Sequence, residues 1–404
     1  MSVVIIATLD TKGPEIQFAR DVLEERGLDT HLVDVGVMDP PTIEPGTTRN
    51  VVADRAGTTI EALVDAGDRG SAMQRMGEGA AVVAEELHDS GELQAVFGLG
   101  GSGNTSVATR AMRAIPYGVP KVMLSTMASG DVQPYVQSRD IAMMYSVADI
   151  EGLNSITRRI IRNAALAVGG MVEDAATVEP GDKPVIGITM FGVTTPCVQR
   201  AREQLESRGY EVVVFHATGT GGRALENLID QGAIDGVLDV TTTELADELV
   251  GGALSAGPNR LEAAGDRGIP QVVSVGALDM VNFGPSETIP NEFADRQFHQ
   301  HNPEVTLMRT TPAENATLGH TLAEKLNRAT GPTAVYLSRE GISMLDAAGE
   351  PFHDEAADRQ LFDAVRDHLT GPGLEECELH INDPAFAEAM ANHLDELMGT
   401  VGSS

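Results

Sequence analysis

The chain has 404 residues, too long for one small domain and suited to two α/β domains. Hydrophobic residues make up 42% and charged residues 22%, enough apolar content for a sizeable buried core. Lys+Arg number 28 against 60 Asp+Glu, a formal net charge of -32, which opposes any large footprint on nucleic acid or on an anionic membrane.

The acidity is spread along the chain, Trp is absent, and Lys12, Lys121, Lys183 and Lys325 are the only lysines. Such a composition predicts a salt-adapted, halophilic protein. Val3-Val4-Ile5-Ile6-Ala7 opens the chain as a strand, with no basic region or cleavage site before it. No apolar run is long enough to span a bilayer. Cys197 and Cys377 have neither metal-ligand nor disulfide-framework spacing. The expected location is the cytoplasm.

Strand and helix patterns alternate throughout. Runs such as Gln94-Ala95-Val96-Phe97 and Val122-Met123-Leu124 are continuously apolar, as parallel strands buried on both faces are. The pattern predicts two Rossmann-like open, mostly parallel sheet domains. An internal duplication supports this. Val4-Ile5-Ile6-Ala7-Thr8, a helix ending Arg26-Gly27 and a strand at 30–35 match Val185-Ile186-Gly187-Ile188-Thr189, a helix ending Arg208-Gly209 and a strand at 211–215. Gln94-Ala95-Val96-Phe97-Gly98 matches Asp235-Gly236-Val237-Leu238-Asp239, and Gly118-Val119-Pro120 matches Gly268-Ile269-Pro270. The polar stretch 173–184 divides an N-terminal domain, 1–178, from a C-terminal domain, 184–404. In the second domain 290–312 reads as a long polar loop, 333–337 and 378–381 as strands, 384–398 as a helix, and 399–404 as a frayed tail.

Ligands of open parallel sheets bind beyond the carboxyl ends of the strands, so the segments after each strand are the candidates. After Phe97 comes Gly98-Leu99-Gly100-Gly101-Ser102-Gly103-Asn104-Thr105, opening a helix. Glycines let backbone approach a ligand, and free amides at a helix N-terminus favour an anion. Ser102, Asn104 and Thr105 add polar donors. The segment is neither a Walker loop nor a dinucleotide fingerprint. Its bland alternative is a tight strand-to-helix turn.

After the first strand comes Thr8-Leu9-Asp10-Thr11-Lys12-Gly13. Thr8, Asp10 and Thr11 suit a helix cap. They equally suit a site in which Lys12 meets a phosphate and Asp10 holds a metal through water. Ser125 and Thr126 follow the strand at 122–124 and could line the same cleft.

In the second domain, Phe191–Thr195, His216–Gly222 and Thr241–Glu244 follow strands and suggest an anion or carbohydrate site, with His216 as a candidate general acid or base. His299-Gln300-His301-Asn302, the pair Asp279 and Asn282, and the polar patch of Glu340-Gly341, Asp346 and His353-Asp354 are weaker signals.

Val3–Gly13, Gly98–Thr105 and Ile188–Thr195 together resemble the Tm-one-like ATP-binding family, that of the inhibitor domain of the tomato mosaic virus resistance protein. The resemblance runs in order over nearly the whole chain. It implies a two-subdomain α/β fold, binding of ATP with a divalent cation, and self-association as a homo-oligomer, dimer or larger. It places ATP at Thr8–Lys12 and Gly98–Thr105. In that reading the triphosphate lies against the glycine-rich segment and Lys12, and Asp10 holds Mg²⁺ through its hydration water. Two rivals remain at this point: an enzyme that acts without nucleotide on a small carboxylate or sugar through His216 or Lys12, and a non-catalytic module whose nucleotide stabilises an oligomer.

Overall fold

The structure, a computed structural model, describes residues 1–174 and 181–401. The chain divides into two compact units, Met1–Pro180 and Gly181–Ser404. Half of the polar divider, residues 175–180, lies outside the described residues, as do the last three residues of the tail. No helix of the described residues is long and apolar enough to cross a membrane.

The first unit runs β1 (Ser2–Ala7), α1 (Gly13–Glu24), β2 (Thr30–Asp34), α2 (Arg49–Arg55), α3 (Ile60–Ala66) and α4 (Arg69–Asp89). It continues through β3 (Leu93–Gly100), α5 (Ser102–Ala114), β4 (Lys121–Ser125), α6 (Gln133–Val136), β5 (Ala142–Tyr145) and α7 (Ser155–Asp174). The five strands form a parallel sheet in the order β2-β1-β3-β4-β5. Successive residues of a strand point to opposite faces, and in β1 both sets are buried. Val4 and Ile6 pack with α2, α3, α4 and α5, while Val3, Ile5 and Ala7 pack with α1 and α7. That double burial is why the strand reads as unbroken apolar sequence.

The second unit runs β6 (Val185–Met190), α8 (Thr195–Ser207), β7 (Glu211–His216), α9 (Thr220–Asp230), β8 (Gly236–Thr241), α10 (Glu244–Val250), α11 (Ala263–Arg267) and β9 (Gln271–Gly276). Then come β10 (Met280–Phe283), β11 (Phe298–Asn302), β12 (Val305–Arg309), α12 (Pro312–Leu326), β13 (Thr333–Ser338), α13 (Glu355–His368), β14 (Gly373–Cys377) and α14 (Pro384–Val401). Its parallel sheet has the order β7-β6-β8-β9-β13-β14, the plan of the first unit extended by one strand. Both units are Rossmann-like.

Three expectations change. Residues 290–312 hold a hairpin, not an extended loop: β11 and β12 pair antiparallel, and β10 joins them in a three-stranded sheet inserted between β9 and β13. One edge strand, with Gln300, His301 and Asn302 exposed, looks loop-like because it has little to bury. The last strand is 373–377 rather than 378–381. It sits at the sheet edge with Glu375 and Glu376 exposed, and backbone pairing to β13 defines it. Finally, α14 is helical through Val401, so 399–401 are not frayed.

Candidate functional site

In the first sheet the chain leaves β1 for β2 on one side and later returns to β3 on the other. This reversal leaves a crevice beyond the carboxyl ends of β1 and β3. A cleft of about 400 Å³ opens there. Thr8, Asp10, Thr11 and Lys12 line it from the β1 side, and Gly100, Gly101, Ser102, Gly103 and Asn104 from the β3 side.

Two helices begin at this cleft. Lys12 is the N-cap of α1 and Gly101 the N-cap of α5, and neither helix has a side-chain cap. The hydroxyl of Thr11 instead donates to that of Thr8 at 2.9 Å. The capping role expected for Thr8, Asp10 and Thr11 is therefore not the one they perform. By contrast α2, α3 and α4 are capped by Thr48, Thr59 and Asp68. Uncapped N-termini present free amides and the positive ends of two helix dipoles to the cleft.

Backbone geometry needs glycine here. Gly100 has φ +156, and a Cβ there would lie 2.8 Å from Asn104 Cβ. At Gly101 an added Cβ would meet only Thr126 Oγ1, at 3.9 Å, so that glycine keeps the cleft open rather than the fold intact.

Lys12 has no ion pair among the described residues, and neither does Arg69 at the start of α4. Arg69 also lines the cleft, and its Nη2 would lie 3.7 Å from a Cβ at Gly103. In a chain of charge -32, two unpaired cations beside two uncapped helix ends mark an anion-attracting spot.

Acceptors stand beside these donors. Asp10 Oδ2 accepts from the Met38 amide at 3.1 Å, while its Oδ1 is buried without a partner. Asp34, fully buried at the end of β2, accepts from the Leu9 and Gly36 amides on Oδ1 and leaves Oδ2 unpaired. Burial pushes its pKa up, against those two amide bonds. Asn104 donates to the Ile6 and Leu99 carbonyls, at 3.1 and 2.8 Å, leaving Oδ1 unpaired. Of the three, Asp10 and Asn104 line the cleft, and their oxygens are hard donors of the kind Mg²⁺ or its water shell takes. Val35, Val37, Met38 and Met73 give the cleft an apolar wall.

The remaining expected residues lie behind the cleft. Gly98 sits inside β3, where an added Cβ would come 2.6 Å from Met123 Sδ. Thr105 donates to the Gly101 carbonyl and shares a 2.7 Å hydrogen bond with Ser125, and Ser125 also accepts from the Met127 amide. They hold the glycine loop from beneath. Thr126 approaches the loop but does not line the cleft. Arg69, Asp34 and the apolar wall were not among the expected residues. The signal for Arg69 was its place in the first turn after the Asp68 cap, opposite the usual acidic preference there.

The corresponding crevice of the second unit is closed by its own side chains. Asp239, Thr241, Thr242, Thr243 and Glu244 stand where the first unit has its glycine loop, and all are buried. Arg260, fully buried, donates to Asp239 at 2.6 and 2.8 Å and to Glu244 at 2.7 Å. Thr194 and Thr241 hydroxyls meet at 2.7 Å, and Thr189 donates to Asp239 at 2.7 Å. The glycine turn before α9 holds a carboxylate of the chain itself: Gly219 and Gly222 amides donate to Glu244 Oε1 at 2.7 and 3.0 Å. The external anion expected there is thus replaced by Glu244. His216 is exposed, with its ring 5.6 Å from that of Phe191.

Fold and site define a protein of two Rossmann-like units in which the first carries an open, anion-attracting cleft. Comparison with known families divides the chain at the same place. The N-terminal domain of the uncharacterised protein family UPF0261 matches residues 1–177, and its C-terminal domain matches 183–398. The chain belongs to this family. A UPF0261 protein of Clostridium tetani is 51% identical over 398 residues, 98% of either chain. One of Rhizobium meliloti is 46% identical, covering 95% of this chain and 96% of its own. The ToMV resistance protein Tm-1(GCR237) of Solanum lycopersicum is 44% identical over 342 residues, 81% of this chain and 45% of the tomato protein. Among solved structures, a Streptomyces glycosyltransferase, SsfS6, covers 98% of this chain and 99% of its own at 13% identity and a TM-score of 0.21, too low to carry an argument.

Proposed function

We propose that the first unit binds ATP with Mg²⁺ in the cleft beyond β1 and β3. The observation that carries this is the meeting of two uncapped helix N-termini with the unpaired cations Lys12 and Arg69 around an open glycine loop. Phosphate oxygens would take the free amides at Ser102 and Gly103 and the charges of Lys12 and Arg69. Asp10 would hold Mg²⁺ through its water, since Mg²⁺ keeps much of its shell. The bound cation would also screen the triphosphate from the chain's acidity. The apolar wall of Val37, Met38 and Met73 suits a base better than it suits a free phosphate. The sequence resemblance to an ATP-binding family points the same way.

Calorimetric titration of the full chain with Mg-ATP, in high salt, tests the reading. Saturable binding at one site per chain supports it, provided that Lys12→Ala weakens it. No binding, or binding indifferent to both Lys12→Ala and Gly101→Val, overturns it. Phosphate release measured with the same samples separates an enzyme from a nucleotide-stabilised module.

A further inference from the structure

The second unit holds another group of chemically active side chains, far in function from the filled crevice. Asp279 follows β9, and Asp346 follows β13, so both lie beyond the carboxyl ends of adjacent strands. Asp358 comes from α13 and His353 from the loop before it. One ligand atom from each of Asp346, His353 and Asp358 lies within 4.8 Å of the other two. Asp346 and Asp358 are buried and His353 is exposed.

Acid groups outnumber basic ones here. Arg309, 4% exposed, reaches Asp358 Oδ1 at 2.7 Å and Asp346 Oδ1 at 3.4 Å with its Nη2. Its ionic neighbours also include Asp279. Ionised together, the three carboxylates would exceed the one guanidinium by two negative charges, the charge of one divalent cation; without a cation, burial favours their protonated forms. Asp279 is fully buried and interacts electrostatically with Arg309, Asp346 and Asp358. Ser343 donates to its Oδ2 at 2.8 Å, but its Oδ1 is buried with no partner. A buried unpaired carboxylate oxygen in such a cluster calls for a cation or a donor.

The donor types narrow the ligand. One imidazole with two carboxylates is a mixed N and O set, which suits Zn²⁺ or Mn²⁺ better than Mg²⁺ or Ca²⁺. A ring nitrogen of His353 contacts the Asp346 carbonyl at 3.3 Å, which holds the imidazole against the cluster. His353 and Asp358 also line a cleft of about 760 Å³, whose wall includes Arg359, a cation with no ion pair among the described residues.

We propose that Asp346, His353 and Asp358 bind one divalent transition-metal cation, with Asp279 and Arg309 setting the charge behind it and open coordination positions facing the cleft. Three protein ligands leave room for water or for an anionic small molecule that Arg359 would meet. Binding displaces any proton shared between Asp346 and Asp358, with the two carboxylates neutralising the ion. The site is independent of the nucleotide reading, because it lies in the other unit and shares no residue with it.

The test uses the full chain, stripped with a chelator and titrated without nucleotide with MnCl₂ and separately with ZnCl₂. Salt is kept at about 1 M KCl, where screening removes diffuse binding to the acidic surface. One ion per chain is expected. His353→Gln, at an exposed position, should weaken binding about tenfold or more. Asp358→Asn should abolish it, and Glu61→Gln, exposed on α3 of the other unit, should bind as the parent does. Anomalous scattering from a soaked crystal should place the ion between Asp346 and Asp358. No retained ion, or equal affinity in parent and His353→Gln, overturns the proposal. If Asp358→Asn does not fold, the His353→Gln comparison decides alone.

Discussion

Two crevices of one plan have opposite contents. Beyond β1 and β3 the chain offers glycine, two uncapped helix ends and two unpaired cations around a cleft of about 400 Å³. Beyond β6 and β8 it offers threonine, Asp239 and Glu244, closed by Arg260. The first leaves its donors for something from outside. The second satisfies them internally, with Glu244 on the Gly219 and Gly222 amides where an anion would sit. A doubly wound sheet creates the crevice in either case. Side chains alone decide whether it becomes a binding site or core.

The sharpest way to break this comparison is to remove the plug. Arg260→Met leaves Asp239 and Glu244 buried without their counter-charge. It should cost about 3–5 kcal/mol and unfold the second unit first, as denaturant melts with a probe in each unit would show. The complementary change plugs the first crevice. Gly101→Val meets little but the cleft itself, so stability should hold while ATP affinity falls at least about a hundredfold, or about 2.7 kcal/mol by calorimetry.

Acidity gives a further handle on the second unit. In α10, next to Glu244, Asp247 is buried and its pKa is pushed up to about 7, chiefly by loss of hydration. Its folded pKa exceeds its ordinary value of 3.8, so the protonated form favours folding. That contribution is complete at the acid end and is lost as pH rises through about 7, with a slope of up to about 1.4 kcal/mol per pH unit. Asp247→Asn should remove this slope in melts between pH 4 and pH 8. The mutant amide can still pair, because Asn282 Oδ1 has no partner and becomes an acceptor once its own amide turns over.

Smaller effects follow at single contacts. Lys12→Ala should weaken ATP about tenfold, a loss near the lower end for charged hydrogen bonds, and leave the melting temperature unchanged. Thr194→Val removes the 2.7 Å hydroxyl pair with Thr241 and the bond from the Phe191 amide to the same hydroxyl, and should cost about 1–2 kcal/mol without touching nucleotide affinity.

Much of the first crevice was legible because its chemistry is local. Thr8, Asp10, Thr11, Lys12 and Gly100–Asn104 are short segments directly after strands, and parallel-sheet topology brings such segments together. Arg69 and Asp34 were not legible. Arg69 belongs to a helix that crosses from another part of the chain, and Asp34 ends an unremarkable strand. Gly98 and Ser125 looked like site residues from composition, yet they serve packing and hydrogen bonding beneath the loop. Arg260 sits in Gly257-Pro258-Asn259-Arg260, a stretch that reads as solvated loop, and its complete burial depends on three carboxylates distant in sequence. The patch of Asp346 and His353 was visible in sequence without geometry. Its partners Asp279 and Arg309 arrive from the β9 loop and the inserted hairpin.

The sequence by itself determined the alternation of strand and helix, the repeated plan and the glycine loop, because periodicity and backbone freedom are properties of neighbouring residues. Only the tertiary structure decided which of the two crevices stays open. That choice depends on side chains such as Arg260 and Arg69 reaching across the fold, and their burial and charge pairing exist only once the layers pack.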